Sequence, residues 1–202
     1  MKRASVELSE YNPEWPLKFE IEKGFLMGII GEWFCGSIEH VGSTSVPGLI
    51  AKPVIDIMCG VKSLEESLPA IDVLVRDGYE YSPYKKNVMH WFCKPSDAFR
   101  THHLHLIPYQ SPLWNERIQF RNLLRLDSEI ANQYANLKRE LAGRYKGDRE
   151  VYTQKKWPFI KRALENASNR WGALYSLAIS TSESKGPACR AWARRSTGST
   201  EL

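Results

Sequence analysis

The stretch His40-Val-Gly-Ser-Thr-Ser-Val-Pro-Gly-Leu-Ile-Ala-Lys-Pro-Val-Ile-Asp56 decides the fold and carries most of the chemical information. The alternating run at 37–41 predicts a half-buried strand, and the β-branched run at 52–60 predicts a buried one. A loop of small and hydroxyl-bearing residues joins them. The sequence therefore predicts a strand–loop–strand unit whose second strand carries a single carboxylate, that of Asp56.

Helical and strand patterns alternate outward from this unit. Apolar spacing predicts one helix from Asn12, as its N-cap, to about Gly31, and a crossover helix over 63–77. Further strands are predicted at 79–81, 88–94 and 102–107, and further helices at 112–125, 127–145 and 148–166. This order indicates an α/β (α+β) fold, in which helices flank one mixed sheet and a helical segment follows it.

Composition limits the classes of protein that the chain can represent. It has 202 residues, 43% of them hydrophobic, with a mean hydropathy of −0.42 and no apolar run long enough to cross a membrane. We expect one domain over 1–167 and a Ser/Thr-rich, disordered tail over 168–202, in which 169–179 is a candidate helical extension. The net charge of +5 includes +3 from this tail, so the nearly balanced body gives no strong nucleic-acid signal. The four cysteines form no CxxC pair, which favours a reduced, cytoplasmic protein.

The loop after the first strand has the residue types of a phosphate site. Gly42 lets the backbone approach phosphate oxygens, Ser43 can donate a hydrogen bond, and amides of a tight turn can form an anion nest. The simpler interpretation is an ordinary turn. Asp56 is a candidate metal ligand, because a carboxylate within an apolar strand is costly unless it is paired or metal-bound; the alternative is a structural acceptor for loop amides.

Two histidines are candidates to join Asp56. His103 and His105 alternate with leucines, so their side chains share one face of the predicted strand. If this face meets Asp56, the three residues make a two-His, one-carboxylate site for a divalent ion. Alternatively, either histidine acts as a general base, contacts a phosphate or serves a structural role.

The chain as a whole resembles the GrpB family of nucleotidyltransferase-like proteins, over roughly residues 5–166. The residues that carry the resemblance are 40–49, 51–57, His103–Leu106, Tyr109, Ser111–Trp114, Phe120-Arg121, Tyr134, Leu137-Lys138, Tyr152, Lys155 and Phe159-Ile160. The resemblance implies a nucleotidyltransferase-type mixed sheet followed by helices. It also implies a Gly-Ser pair beside a triphosphate, at Gly42 and Ser43, and a Mg²⁺-binding carboxylate at Asp56.

The chain departs from the pattern of that superfamily at one position. Active members carry a second carboxylate two residues beyond the first, on the same strand face, where this chain has Met58. A thioether is a poor ligand for Mg²⁺. The third carboxylate of the pattern falls on a neighbouring strand, where this chain has the histidines at 102–105.

Two main hypotheses follow for function. The first is a nucleotidyltransferase-like protein that binds a nucleotide or a phosphorylated small molecule and transfers a nucleotidyl group with a divalent metal, Mg²⁺ or Mn²⁺. The second is a degenerate, non-catalytic nucleotide-binding or interaction module; a metal-dependent hydrolase that uses the histidines is a third idea. The side chains expected to contact phosphate, although each is also typical of a solvated surface, are Lys52, Arg121, Lys138 and Lys155.

Overall fold

A five-stranded mixed sheet forms the centre of the molecule in the computed structural model, which describes residues 5–181. The strands are β1 (Phe34–Val41), β2 (Ile55–Val61), β3 (Glu80–Ser82), β4 (His90–Pro95) and β5 (Arg100–Pro108). Their spatial order is β1-β2-β5-β4-β3. The β2–β5 pair is parallel and the other neighbouring pairs are antiparallel. The predicted α/β (α+β) class with a mixed sheet is confirmed.

Five helices cover the two faces of this sheet. They are α1 (Trp15–Ile30), α2 (Pro69–Arg76), α3 (Pro112–Leu126), α4 (Ser128–Arg144) and α5 (Arg149–Thr181). Helices α1 and α2 lie on one face, against a core that includes Ile57, Phe92 and Leu104. Helix α3 covers the opposite face, where Met58 and Trp114 are buried, and α4 and α5 pack on α3. Among the described residues, no helix has both the length and the apolar composition that a membrane crossing requires.

Sequence patterns predicted which helices form more accurately than the residues at which those helices begin. Helix α1 begins at Trp15 rather than at Asn12, whose side-chain oxygen instead accepts a hydrogen bond from the Glu14 amide at 2.8 Å. The crossover helix begins only at Pro69, a residue suited to a first helical turn because it has no N–H to leave unsatisfied. The last helix begins after Asp148, whose carboxylate accepts from two amides of its first turn.

The C-terminal helix extends beyond the predicted domain boundary. Helix α5 runs to Thr181, with a non-helical backbone at Gly172, and so continues past residue 167, at which the sequence predicted the domain to end. The candidate helical extension at 169–179 falls within this segment. The remainder of the predicted tail, 182–202, lies outside the described residues.

Candidate functional site

Strand register brings the predicted acid and histidines together. Asp56 on β2 is paired with His103 on β5, and Met58 is paired with His105. The side chains of Asp56, His103 and His105 therefore lie on the α3 face of the sheet. His103 Nδ1 donates to Asp56 Oδ1 at 2.8 Å, and His105 Nε2 lies 3.9 Å from the same oxygen. The third histidine of the run, His102, lies on the opposite face, 4.0 Å from Glu22.

The turn after β1 lies directly against Asp56. Gly42 has φ of 70°, a conformation that favours glycine, and a Cβ added there would overlap with Oδ2 of Asp56. The acid therefore faces the turn, as the sequence predicted. The amides of Ser45 and Val46 donate to carbonyls within the turn. The residues of the turn that line the adjoining cavity are Gly42, Ser43 and Thr44.

The hydrogen bonds around Asp56 fix its charge. Burial alone would raise the pKa of this carboxyl, but the hydrogen bond from His103 and the nearby imidazole of His105 hold it well below its usual range. Burial lowers the pKa of His103, despite the Asp56 contact, and lowers that of His105 to about 3. At neutral pH the site therefore contains an ionised acid and two neutral imidazoles. His103 Nδ1 carries the proton that Asp56 accepts, which leaves Nε2 as an acceptor, and this buried atom has no hydrogen-bond partner among the described residues.

Helix α3 holds the turn from the other side. Arg121 donates to Glu39 Oε2 at 2.5 Å and to the His40 carbonyl at 3.1 Å. Arg125 donates twice to the Ser45 carbonyl, at 2.7 and 3.0 Å. Arginine is suited to this role because its planar group presents several donors in a fixed arrangement. The turn is thus fixed at both ends before any ligand arrives.

Three lysines lie beside the turn. Lys138 on α4 is 1% exposed, donates to Ser43 Oγ at 3.1 Å and to the Ile50 carbonyl, and lies 4.8 Å from the Tyr134 ring. Lys52 and Lys156 lie 5.5 and 4.6 Å from the centre of the Tyr152 ring. We call Lys52, Lys138 and Lys156 the lysine cluster. None of the three forms an ion pair with a carboxylate within residues 5–170.

Burial and mutual repulsion weaken the charge of this cluster. Burial lowers the pKa of Lys138 to about 7, and the nearby ammonium of Lys156 contributes to the shift. Burial, again with repulsion from Lys156, lowers the pKa of Lys52 to about 8. The pKa of Lys156 falls to about 8 through burial, against the attraction of Asp56. The cluster is a set of poorly compensated cations.

A cavity of about 570 Å³ contains both the acid–histidine group and the lysine cluster. It lies between the α3 face of the sheet and helices α3, α4 and α5. Eight cationic and four acidic side chains line it, so its walls are positively charged on balance. This volume is that of an ordinary small-molecule site.

One predicted site residue is placed away from this cavity. Lys155 is exposed on α5 and does not line it; the side chain that does is its neighbour Lys156. The difference has a periodic cause, because Tyr152, Lys156 and Ala163 share the buried face of α5 at helical spacing. Gly42, Ser43, Lys52, Asp56, His103, His105, Arg121 and Lys138 all line the cavity.

The sequence analysis also missed residues that line the cavity. Arg117 on α3 is one; its hydrogen-bond acceptor among the described residues is the Met89 sulfur, at 3.8 Å, and burial lowers its pKa. Its spacing of four from Arg121, on a helix with an apolar stripe, was the available signal. Tyr84 and Trp157 are two more, and isolated aromatic residues in a turn and a helix gave no such signal.

The donors around Asp56 are not arranged as a preformed metal site. Among the described residues, no group of three or more His, Cys, Asp or Glu side chains is placed to hold an ion. Asp56 Oδ1 and His103 Nδ1 are instead bonded to each other. Met58 is fully buried beside Trp114 and offers only a thioether. The chemistry of the set, one carboxylate and two imidazoles, suits Mn²⁺ or a softer ion better than Mg²⁺.

Comparison with known proteins identifies relatives across nearly the whole described chain. The family model described as GrpB protein matches residues 5–166. The chain is 32% identical over 169 residues to the "Glutamate-rich protein GrpB" of Alkalihalophilus pseudofirmus, which covers 81% of this chain and 97% of that protein. It is 35% identical over 172 residues to the "UPF0157 protein YqkA" of Bacillus subtilis; this covers 84% of the chain but 49% of that relative, so the chain spans about half its length.

A solved structure gives the same result for the fold. The crystal structure of the conserved protein GrpB from Enterococcus faecalis superimposes with a TM-score of 0.73 at 34% identity, covering 82% of this chain and 99% of that one. The matched region contains the sheet, the turn at Gly42 and the lysine cluster. On sequence and on fold alike, the chain belongs to the GrpB family.

Proposed function

We propose that this protein binds a phosphorylated small molecule, with a nucleotide as the leading case, in the cavity described above. The phosphate group lies on the lysine cluster, beside Gly42, Ser43 and Thr44. The observation that carries the proposal is that three cations share this wall and form no ion pair with any carboxylate that the structure describes. The proposal places the protein among small-molecule binders and leaves turnover to experiment.

An anion would remove the electrostatic cost of the cluster. Ammonium groups that are withdrawn from water and placed near one another lose part of their proton affinity, as the lowered pKa values of Lys52, Lys138 and Lys156 express. A phosphate accepts hydrogen bonds from several such donors at once and restores their charge. The lysine cluster is therefore expected to bind an anion.

Asp56 would orient the remainder of the ligand rather than bind its phosphate. An ionised carboxylate repels phosphate oxygens, so the phosphate is expected on the lysine side of the cavity. The hydrogen bond to Asp56 holds the His103 ring in one orientation and leaves the buried Nε2 as an acceptor without a donor among the described residues, which a ligand hydroxyl would supply. The lysine side of the cavity would thus bind an anion, and the His103 side would bind a hydrogen-bond donor of the ligand.

The second candidate is metal-dependent nucleotidyl transfer. The observation that favours it is the convergence of Asp56, His103 and His105 beside the same turn. These three residues would hold a divalent ion, Mn²⁺ in preference to Mg²⁺, only if the hydrogen bond between Asp56 and His103 opened. A bound ion would supply charge neutralisation at the phosphate. The substitution of the second acid by Met58 favours the non-catalytic module instead.

Calorimetric titration with ATP, with ribose 5-phosphate and with pyrophosphate, each with and without MgCl₂ or MnCl₂, tests these proposals. Binding without the metal supports the phosphate site. Metal-dependent release of pyrophosphate from ATP would support transfer, whereas binding without turnover would support the module. If none of the three compounds binds at low ionic strength, the proposed function is wrong.

A further inference from the structure

Two aromatic side chains lie half-exposed at the open end of the cavity. Tyr84, in the turn between β3 and β4, and Trp157, on α5, are each 46% exposed, and both line the cavity. Large rings left in water are common singly, but two that meet at one cavity entrance are not explained by packing. We call Tyr84 and Trp157 the aromatic pair.

A cation occupies the space that the two rings share. The Lys85 ammonium lies 5.6 Å from the centre of the Tyr84 ring and 5.9 Å from that of the Trp157 ring. Both rings therefore border a common space that contains the end of this flexible side chain. Lysine side chains reorient easily, so the same space is available to a flat group of a ligand.

The pair is built on an ordered framework. The turn that carries Tyr84 is closed by hydrogen bonds from the Val88 and Met89 amides to the Lys85 carbonyl, at 2.9 and 3.2 Å. Trp157 directly follows Lys156, a member of the lysine cluster, on α5. Helix α5 thus carries both Lys156 of the lysine cluster and the Trp157 ring at the entrance of the same cavity.

The other aromatic residues of the region are already engaged. Tyr109, Trp114 and Tyr152 are among the residues that carry the family resemblance. Trp114 and Tyr152 are 1% exposed, and Tyr109 packs against Trp114 with its ring 5.1 Å away. The Trp91 ring is covered by the Arg100 guanidinium, 4.9 Å from its centre. Packing accounts for these rings, and the aromatic pair is the available stacking surface.

From this arrangement we infer that Tyr84 and Trp157 stack on a planar aromatic ring of the ligand whose phosphate lies on the lysine cluster. The inference rests on the proposed function and narrows its ligand class. Phosphate at one wall and a flat ring at the entrance describe a phosphate ester of an aromatic heterocycle, such as a nucleotide, rather than a simple sugar phosphate. A ring stacked on an aromatic side chain contributes about 1–3 kcal/mol.

The test compares AMP with ribose 5-phosphate, which carry the same phosphate ester and differ in the base. We expect AMP to bind the wild-type protein at least about tenfold more tightly, as about 1.4 kcal/mol of stacking would give. In a Tyr84→Ala/Trp157→Ala variant, AMP affinity should fall to that of ribose 5-phosphate, whose own affinity should not change. Trp157→Phe should retain most of the AMP affinity, because a phenyl ring still stacks.

A control variant and three results that would contradict a proposal complete the test. Phe25→Ala removes a partly exposed ring from α1, on the opposite face of the sheet, and should leave AMP affinity unchanged. Equal affinity of the wild type for AMP and ribose 5-phosphate would overturn the inference while leaving the phosphate site intact. Unchanged AMP affinity in the double variant would also overturn it. Failure of the wild type to bind AMP, ribose 5-phosphate or pyrophosphate would overturn the proposed function itself.

Discussion

Gly42 shows at the scale of one residue how closely the turn approaches the acid. Its φ of 70° suits glycine, and any side chain there would overlap with the Asp56 carboxylate. Gly48 has a similar φ of 76° but has open space around it. Of the two glycines, only Gly42 is in contact with the site.

Gly42→Ala should destabilise the protein more than Gly48→Ala does. Both changes carry the strain of an alanine at positive φ, about 1–3 kcal/mol, and this strain is greater at Gly42, whose ψ of −174° lies in a region that almost only glycine adopts. Only Gly42→Ala also displaces Asp56, for which we expect about 1–2 kcal/mol more. Denaturant unfolding measures both, and equal losses would mean that the turn is not tightly packed on the acid.

The lysine cluster predicts an unusual dependence of stability on pH. In the unfolded chain Lys138 keeps its proton to about pH 10.4, whereas in the folded protein its pKa is about 7. Between these values the unfolded state binds more protons, so stability rises as pH increases. The ligand-free protein should gain up to about 1.4 kcal/mol per pH unit for this group above pH 7.

Urea unfolding of the ligand-free protein from pH 6.5 to pH 8.5 measures this slope. Lys138→Met should reduce it, because one titrating group is gone while Lys52 and Lys156, whose pKa values are about 8, continue to contribute; Lys155→Met, at the exposed neighbour of Lys156, should not change it. A wild-type protein whose stability is constant or falls over this interval would contradict a weakened charge at Lys138.

The position of Met58 explains why a restored carboxylate would not complete the site. Met58 is fully buried between the sheet and α3, next to Trp114. Met58→Asp would bury an unpaired charge there, and we expect a loss of stability of about 3–5 kcal/mol in the absence of metal. Thermal unfolding measures it, and a variant as stable as the wild type would show that the position is open to solvent.

Individual residues also mark what the sequence could predict of the site. Alternation placed His103 and His105 on one strand face, and the loop–strand pattern placed Asp56 beside Gly42, since both depend on local spacing. The lysine cluster was less predictable than these residues. Lys155 fitted the family-like pattern, but the lysine that lines the cavity is Lys156. Lys156 lies on the buried face of α5, and this face depends on how α5 packs on the rest of the fold.

At the scale of elements, helix α3 fixes the turn to the sheet. Arg121 is 8% exposed and joins α3 to Glu39 and to the His40 carbonyl. Arg76 on α2 forms a comparable but exposed pair with Asp77, at 3.8 Å. The first contact is expected to stabilise the site, and the second is expected to contribute almost nothing.

Arg121→Met should cost about 2 kcal/mol, because it leaves a partly buried carboxylate and a carbonyl without their donor. It should also weaken pyrophosphate binding, since the turn that lines the cavity is no longer held. Arg76→Met should stay within about 0.5 kcal/mol of the wild type in urea unfolding. Similar losses in the two variants would mean that α3 does not hold the turn.

Periodicity predicted most elements because each has one apolar face or a continuous apolar run. The element boundaries depended on contacts that the sequence does not display. Val6 packs against Leu141 and Tyr152, which are distant in sequence, and an isolated bridge joins Ser9 to Ala51. The crossover helix lost its first turn because residues 64–68 form separate turns before Pro69.

The cavity itself belongs to the whole molecule. Its walls come from the β1–β2 turn, the sheet, the β3–β4 turn and helices α3 to α5. No local pattern predicts such an enclosure, because it depends on how α4 and α5 fold back over α3. The family resemblance supplied the expectation of a nucleotide site, and the geometry adds a basic wall opposite a neutral histidine pair.

A positively charged cavity predicts a strong effect of salt on ligand binding. Raising NaCl from 50 to 300 mM should weaken pyrophosphate binding at least about tenfold, because screening reduces the attraction between the cluster and the anion. The same titration with sodium sulfate in place of the added chloride should show direct competition. Salt-independent affinity would place the ligand elsewhere.

Calorimetric titration of pyrophosphate at pH 6.5 and low ionic strength tests the central claim most directly. It compares the wild type with a Lys52→Met/Lys156→Met variant and with Lys155→Met as the matched surface control. We predict that the wild type and the control bind alike and that the double variant binds at least about thirtyfold more weakly. Equal affinity in all three proteins, or no binding by the wild type, would contradict a phosphate site on the lysine cluster.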